Sequence, residues 1–589
     1  MSADSASRIA RPDATFAELF TPKLVTVLRE GYNLESLRAD ATAGLTVAIV
    51  ALPLSMAIAI ASGAAPERGL YTAVVGGFLI SLLGGSRFQI GGPAAAFTAI
   101  VATTIHRHGL DGLFLATIMA GVFLMALGLF RLGSYVKFIP YPVIVGFISG
   151  IAVILFASQI HDLLGLTLSG EPAEFLPKLT ALGGALSTLN PAAAVIASAT
   201  VAAIVGCKRF LPRWPAILIA VVGASALAFA LKLPVETIGT RFGGISSSLA
   251  WPSLPSVSLA RMREVLPDAL SFALLGAIES LLSAMVADGM TGRRHRSNVE
   301  LVAQGVANIG AALFGGICAT GTVARTATNV RSGARGPLAG IFHSGFLVLF
   351  MLVAAPLASY IPLAALAGVL AIVSWDMAEK RDFVTLLRAS RGDAVVLLAT
   401  FGLTLFRGLT EAIVVGFGLG ALLFIHRMAR TTEIARYMPA IANDQADDAD
   451  ERTPYDAGLA TDPDIAVYRI SGAFFFGATA SVAGVLDSIT ERPRVSIIDF
   501  AAVPFIDSTA AKAIGAIAEK SRSRGVEVVF SAASPDIRRA LAIHADSENA
   551  PQFAASLEDA VKSARLSMAA QDRNRQLPGR VSAIGQIRS

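Results

Sequence analysis

The chain has 589 residues, 54% of them hydrophobic and 15% charged, with a formal net charge of +5 and a mean hydropathy of +0.63. That balance excludes an ordinary soluble multidomain protein and predicts a polytopic membrane domain embedded in a lipid bilayer. The basic residues fall in short clusters between apolar runs, a pattern of membrane topology, so no nucleic-acid partner is expected.

In chain order, residues 1–40 read as a polar N-terminal segment without a compact apolar stretch ahead of a cleavage site. From 41 to 430, apolar runs of the roughly 17 to 25 residues that cross a bilayer as helix recur between Gly, Pro and charged breaks. About fourteen spans are read, centred near Ala51, Phe78, Thr98, Ala120, Ile151, Ala199, Val222, Leu275, Ala307, Thr326, Val348, Leu370, Thr400 and Val415. Alternate loops carry Arg131 and Lys137, then Lys208, Arg209 and Arg213, then Arg293, Arg294 and Arg296, then Arg331 and Arg335, then Lys380, Arg381, Arg388 and Arg391. Because Lys and Arg stay inside, both termini are expected in the cytoplasm. Residues 431–464 read as a polar, acidic linker. Short strands such as 465–470 and 495–500, separated by helical stretches, then make 465–565 an α/β domain. The remaining 566–589 read as a basic, disordered tail.

Cys207 and Cys318 sit in apolar segments with no ligand spacing, which argues against a disulfide framework or a zinc site. The histidines are scattered and no phosphate-binding loop is present, so neither an enzyme nor a nucleotide-driven pump is indicated, and no metal or organic cofactor is expected.

The segment ALPLSMAIAIASG, a helix ending at Gly84-Gly85, and SRFQIGGPAAAF recur in AIESLLSAMVADG, a helix ending at Gly315-Gly316, and ICATGTVARTATN. An odd number of spans separates the copies, so they insert with opposite orientation, and in each the third span starts late, after a Gly-rich break. Paired broken helices in inverted repeats mark a secondary carrier with its site near the membrane midplane. Half-helices starting near Pro93 and Thr322 would aim unpaired N–H groups and positive dipole ends at an anion. Arg325, one turn into the second half-helix, adds a full positive charge that can hold a carboxylate or oxyanion. Glu279 lies in an apolar span, where a charge costs about 3 kcal/mol on insertion scales. It reads either as a proton or cation coupling site, with Ser283 one turn below, or as an ion-pair partner of Arg325. Thr322 is the best-placed hydroxyl, since Thr326 and Thr328 are expected to bond preceding carbonyls. Gln89 reads either as a ligand contact or as part of a short strand pairing at the break. In the C-terminal domain Asp507, Ser508 and Thr509 sit at a strand-to-helix turn, fit for a helix cap or for a phosphorylated hydroxyl.

These segments, with GGSRFQIGGPAAAF, AIESLLSAMVADGMTG and ARTATNVRSGA, resemble the SulP family of anion transporters, relatives of prestin, pendrin and plant sulfate permeases. The resemblance runs from about Leu37 to Ala542 and ends in a domain similar to STAS domains. It implies a seven-plus-seven inverted repeat divided into core and gate domains, an elevator movement, a homodimer, and a bacterial inner-membrane location. It places the anion site at Pro53, Ser55, Gly92, Pro93, Ala94, Glu279, Ser283, Thr322, Ala324 and Arg325. A cytoplasmic protein partner of the STAS domain is a further expectation. Within the family, the wording around Glu279 and Arg325 is closest to bacterial proton-coupled C4-dicarboxylate carriers. Bicarbonate carriers typically place Asp at the position of Glu279 and lack Arg at that of Arg325, which makes sodium coupling the less favoured expectation. Leu54 stands where plant-type sulfate carriers have Gln, which weakens sulfate without excluding it. An uncoupled channel, a field-sensing motor and an anion receptor are the other readings.

Overall fold

The computed structural model describes residues 20–134, 139–168, 170, 172, 174–211, 214–436, 464–475, 479, 482, 493–543 and 552–575. Two compact units emerge, residues 1–420 and 421–589.

In the first unit a short helix α1 (Lys23–Arg29) precedes α2 (Leu34–Ala61). Asn33 caps α2 by accepting from the Ser36 N–H at 2.9 Å, and Glu35 in the first turn complements the positive helix end. The N-terminal segment expected over 1–40 therefore gives way to helix at Leu34, because the cap signal outranks the polarity of the first turn. Asp40 is fully buried there. Its carboxylate accepts from the Tyr32 hydroxyl at 2.5 Å and from the Arg335 and Gly336 N–H groups at 2.6 and 3.0 Å.

Helix α3 (Pro66–Tyr71) runs through a π turn (Thr72–Gly76) into α4 (Gly77–Leu83). After strand β1 (Gly91–Gly92), a 3₁₀ turn (Ala95–Phe97) opens α5 (Thr98–Leu129). Gly109, at φ 69° and ψ −175°, breaks α5 into two lengths, which are the third and fourth spans. The chain continues through α6 (Tyr141–Leu164), α7 (Phe175–Gly184), α8 (Pro191–Phe210), α9 (Ala216–Ala230) and α10 (Ile238–Phe242).

The second repeat supplies α11 (Leu259–Thr291), α12 (Ser297–Leu313), strand β2 (Thr320–Gly321), α13 (Val323–Arg331) and α14 (Leu338–Ala358). Then follow α15 (Leu363–Met377), α16 (Lys380–Ala389), α17 (Arg391–Phe406) and α18 (Leu409–Arg430). Each span centre read from the sequence lies on one of these helices. Among the described residues, seven helical stretches are long and apolar enough to cross a membrane by length and composition. The others are shortened by the same Gly and Pro breaks that punctuate the sequence.

Packing sorts the helices into two groups. α5 lies along α11 and α12, and α2 along α14, while α6 lies along α15 and α17, and α8 along α9 and α15. Where α5 crosses α12, Gly121 and Gly305 face each other so closely that a Cβ on either would stand 2.4–2.6 Å from the other's carbonyl oxygen. Small residues allow this approach, which is how membrane helices gain packing energy when lipid competes for apolar surface. The first group carries both broken helices, and α2 meets α15 and α9 of the second group.

The second unit is built on a five-stranded sheet of order β3 (Glu433–Arg436), β4 (Ile465–Ser471), β5 (Val495–Ala502), β6 (Glu527–Ser531), β7 (Gln552–Ala554). Only β3 runs antiparallel to its neighbour. Ile470, Ile498, Phe500 and Phe530 pack one face against α19 (Ser508–Ser523) and α20 (Pro535–Ile543), and Val467, Ile497 and Val529 pack the other against α21 (Leu557–Arg575).

Two boundaries move. Strand β3 lies inside the stretch 431–464 read as linker; four residues with no alternation of their own become a strand by pairing with β4. Helix α21 continues to Arg575, into the stretch 566–589 read as tail, because Met568 still packs on the domain core. Residues 437–463 and 576–589 lie outside the described residues, as does Lys137.

Candidate functional site

The two broken spans meet. β1 and β2 pair antiparallel, with Gly91 opposite Gly321 and Gly92 opposite Thr320. Their backbone groups thus satisfy each other where neither chain is helical, as the bilayer interior demands. Buried polar side chains hold the crossing. Asn308 of α12 clamps Ala319 from both sides, accepting from its N–H at 3.0 Å and donating to its carbonyl at 2.8 Å. Asn329 donates to the Phe88 carbonyl at 2.9 Å, and Thr72 in the π turn accepts from the Ile317 N–H at 2.7 Å. Glu300 accepts from the Gly85 and Ser86 N–H groups at 2.9 and 3.2 Å and from Gln304 at 2.8 Å. Sequence reading did not single out Asn308, Asn329 or Glu300; their signal was a polar side chain inside an apolar span.

Beyond the pairing, Ala94 precedes the first half-helix, which begins at Ala95 and not at Pro93. Thr322 is the N-cap residue of the second, with no side-chain cap. The first-turn N–H groups of Val323, Ala324 and Arg325 therefore have no intrahelical acceptor, and Ala324 is exposed at this end. The Thr322 hydroxyl and N–H both turn to the Ile90 carbonyl, at 3.3 and 3.0 Å.

Arg325 is buried, 2% exposed. Its Nη2 donates to Ser55 Oγ on α2 at 3.0 Å, while Nε and Nη1 have no protein acceptor. Pro53 lies within α2, two residues before Ser55, and is buried with Gly92, Pro93 and Ala94. At Gly92 (φ 154°) an added Cβ would stand 2.1 Å from Arg325 Nη1. The guanidinium thus lies behind the glycine-lined break, its positive charge added to the half-helix ends from within the protein. Gly92→Ala is expected to push the guanidinium off Ser55 and weaken anion affinity about tenfold, the worth of one hydrogen bond to a charged group. Substrate titration of the purified variant, with its thermal midpoint as a folding control, checks this.

Glu279 on α11 is half-buried and makes neither an ion pair nor a hydrogen bond among the described residues. The ion pair with Arg325 is not formed, since the guanidinium turns to Ser55. Glu379 lies between α15 and α16. Glu379 has one carboxylate oxygen buried without a partner, and burial first, then the neighbouring Asp382 charge, raises its carboxyl above the ordinary range.

Two other candidates are committed to the scaffold. Ser283 is fully buried and donates to Thr326 Oγ1 at 3.0 Å, and that oxygen also accepts from the Ile90 N–H at 3.1 Å. Ser283 therefore stands one turn from Glu279 but faces the tenth span. Thr326, expected to bond a preceding carbonyl, joins this network instead, while Thr328 does bond the Ala324 carbonyl at 2.8 Å. Gln89 donates to the Ser280 carbonyl at 3.1 Å, leaving its Oε1 unpartnered. Its amide fills the space where a Cβ on Gly321 would be.

With this geometry in view, residues 37–400 match the model of the Sulfate permease family and residues 457–562 that of the STAS domain. The chain belongs to the sulfate permease family. A relative from Bacillus subtilis (strain 168), provisionally named sulfate transporter YvdB, is 40% identical over 492 residues, covering 83% of this chain and 90% of that one. The bicarbonate transporter BicA of Picosynechococcus sp. is 31% identical over 521 residues, covering 86% and 91%. The solved structure of the murine Solute Carrier 26 family member A9 anion transporter in the inward-facing state shares the fold. Its TM-score is 0.80 at 18% identity, with 95% of this chain and 97% of that chain covered. This sulfate permease family member is a multi-pass anion transporter and not an enzyme, and its C-terminal unit is a STAS domain.

In that STAS domain Asp507 caps α19 by accepting from the Ala510 N–H at 2.8 Å, with Ser508 and Thr509 exposed beside it. Asp499 is fully buried, accepting from Arg469 Nε at 2.6 Å and Ser531 Oγ at 3.0 Å.

Proposed function

We propose that this carrier takes a C4-dicarboxylate across a bacterial inner membrane together with a proton, holding the anion between the broken third and tenth spans. The observation that carries the anion site is Arg325, a buried cation that among the described residues has no acidic partner and two donor nitrogens without a protein acceptor. Burying a charge is costly unless it is paired, and a substrate anion at the paired half-helix ends supplies the missing charge. Glu279 supports proton coupling, being an acid in a membrane span with no partner among the described residues to hold it ionised. The dicarboxylate assignment rests on the wording around both residues.

The core group, carrying both breaks, slides against the gate group as an elevator. The active form is a homodimer with both termini cytoplasmic, and the STAS domain offers a surface for a cytoplasmic partner. Sulfate is the second reading, favoured by the name of the Bacillus relative at 40% identity; bicarbonate with sodium follows from BicA.

Uptake of labelled fumarate, sulfate and bicarbonate into proteoliposomes under an inward proton gradient, with and without sodium, tests the proposal. Sodium-independent accumulation of fumarate is expected. Accumulation of sulfate, or sodium-dependent accumulation of bicarbonate, would transfer the site to that substrate, and flux that never exceeds equilibrium would make the protein a channel.

A further inference from the structure

Helix α16 joins two spans: Ala378 and Glu379 separate it from α15, and Ser390 alone separates it from α17, so it is held at the membrane surface. It lies along α17 and α6, and Phe383 meets Phe401 of α17 edge to face at 5.3 Å. The outer surface of the helix is sorted. At about 100° per residue, the exposed Val384 and Leu387 form an apolar strip beside the protein contact, and Arg381 and Arg388 form the next strip, two turns apart. Asp382 falls on the side opposite Val384. Among the described residues neither guanidinium has an ion-pair or hydrogen-bond partner. The neighbouring charges are engaged elsewhere. Lys208, at the end of α8, pairs with Asp376 at 2.6 Å, and Asp393 accepts from the Ser390 hydroxyl at 2.7 Å. Lys380 donates to the Trp375 and Ala378 carbonyls, with its ammonium 4.2 Å from the Trp375 ring. The Lys208 bridge brings the end of α8 to the same level, and Trp375 and, just beyond α8, Trp214 are both exposed. Exposed tryptophans beside basic residues are the composition of a membrane interface.

We propose that α16 is an interfacial helix that binds anionic phospholipids of the cytoplasmic leaflet, with Arg381 and Arg388 on the headgroup phosphates and Trp375, Val384 and Leu387 at the acyl boundary. The inference rests on the orientation given above, which places this loop on the cytoplasmic side. An apolar strip flanked by arginines is the pattern of a helix that lies in the interface plane. Two cations without acidic partners, beside exposed apolar side chains, complement a surface that is negative and oily at once. Arginine suits phosphate because its planar fork donates two parallel hydrogen bonds. Seven residues of helix set the two arginines about 10 Å apart along the axis, so each takes its own headgroup. Binding here anchors the gate group, against which the core group moves in the elevator reading.

Trp375 is the probe. With Trp214→Phe and Trp251→Phe it is the one tryptophan left in the chain. Its quenching is measured in phosphatidylcholine vesicles containing either phosphatidylglycerol or phosphatidylcholine brominated on the acyl chains. The brominated phosphatidylglycerol should quench at about one-fifth of the mole fraction, the preference that one basic residue near an anionic surface confers. Arg381→Gln with Arg388→Gln should remove the difference, Arg381→Lys with Arg388→Lys should keep most of it, and high salt should shrink it. The salt series leaves α16 unaltered, so it decides the question even where the glutamine pair lowers the thermal midpoint. Equal quenching by the two lipids overturns the proposal. Quenching by neither lipid, the result if a second copy covers the helix, overturns it too. Orientation is read separately. Thr385→Cys, combined with Cys207→Ser and with Cys318 buried, should react with an impermeant maleimide in inside-out vesicles and not in right-side-out ones. The reverse labelling overturns the cytoplasmic assignment and leaves the headgroup preference standing, whereas equal quenching removes the site whichever way the chain is inserted.

Discussion

Arg325→Ala is expected to weaken anion binding at least about thirtyfold, corresponding to the 2 kcal/mol or more lost when one partner of a buried charge pair is removed. The argument runs through burial. Arg325 is 2% exposed and its protein partner is a neutral hydroxyl, so the unliganded protein keeps a cation whose charge is not balanced. Bound anion balances it, and that differential is available for affinity. Removing the guanidinium therefore takes away attraction for the anion and, at the same time, a burden on the empty protein. Affinity should fall steeply while the thermal midpoint of the empty protein falls little or rises. An ordinary packing arginine would give the reverse, a large loss of stability with affinity preserved, and that outcome would move the anion site elsewhere. Arg325→Lys separates charge from shape. A lysine keeps the positive charge but loses the fork that reaches Ser55, so it should recover part of the affinity. Calorimetric titration with fumarate and with sulfate, beside thermal unfolding in detergent, reads both quantities.

What the sequence made legible depended on repetition. Arg325 stood out because two Gly-broken segments recur, whereas Pro53 and Gly92 came only from the resemblance to the family; the broken spans meet in a strand pair of two residues each. The helices likewise follow from apolar runs and caps such as Asn33. What stayed hidden is which neighbour a side chain faces. Ser283 and Glu279 share a helix face by spacing, yet Ser283 is consumed by Thr326 and Glu279 stays free, a difference that depends on how α13 is set against α11. Asn308 and His343 are single polar residues in apolar helices. Whether such a residue is satisfied, as Asn308 is, or orphaned, as His343 is, depends on the partner segment and not on its own. Strand β3 was invisible for a related reason: four residues acquire their conformation only from the ladder with β4.

Glu279→Gln bears on coupling. Glutamine is nearly the shape of a protonated glutamate but cannot release a proton, so it holds the carrier in its loaded charge state. A proton gradient of one pH unit is worth about 1.4 kcal/mol and can concentrate a singly coupled substrate about tenfold. Wild type should show this accumulation and Glu279→Gln none, while exchange of external for internal substrate continues, because exchange never requires the proton to leave. The expectation depends on Glu279 having no protein cation to hold its charge; had it paired with Arg325, the substitution would have dismantled the anion site and abolished exchange as well. Measuring gradient-driven uptake and exchange on the same vesicles distinguishes the two. Should Glu279→Gln keep the pH dependence of wild type, the coupling group must be another carboxylate within reach. Glu379 is then the group to substitute next: it has a buried carboxylate oxygen without a partner among the described residues, and burial raises its carboxyl above the ordinary range.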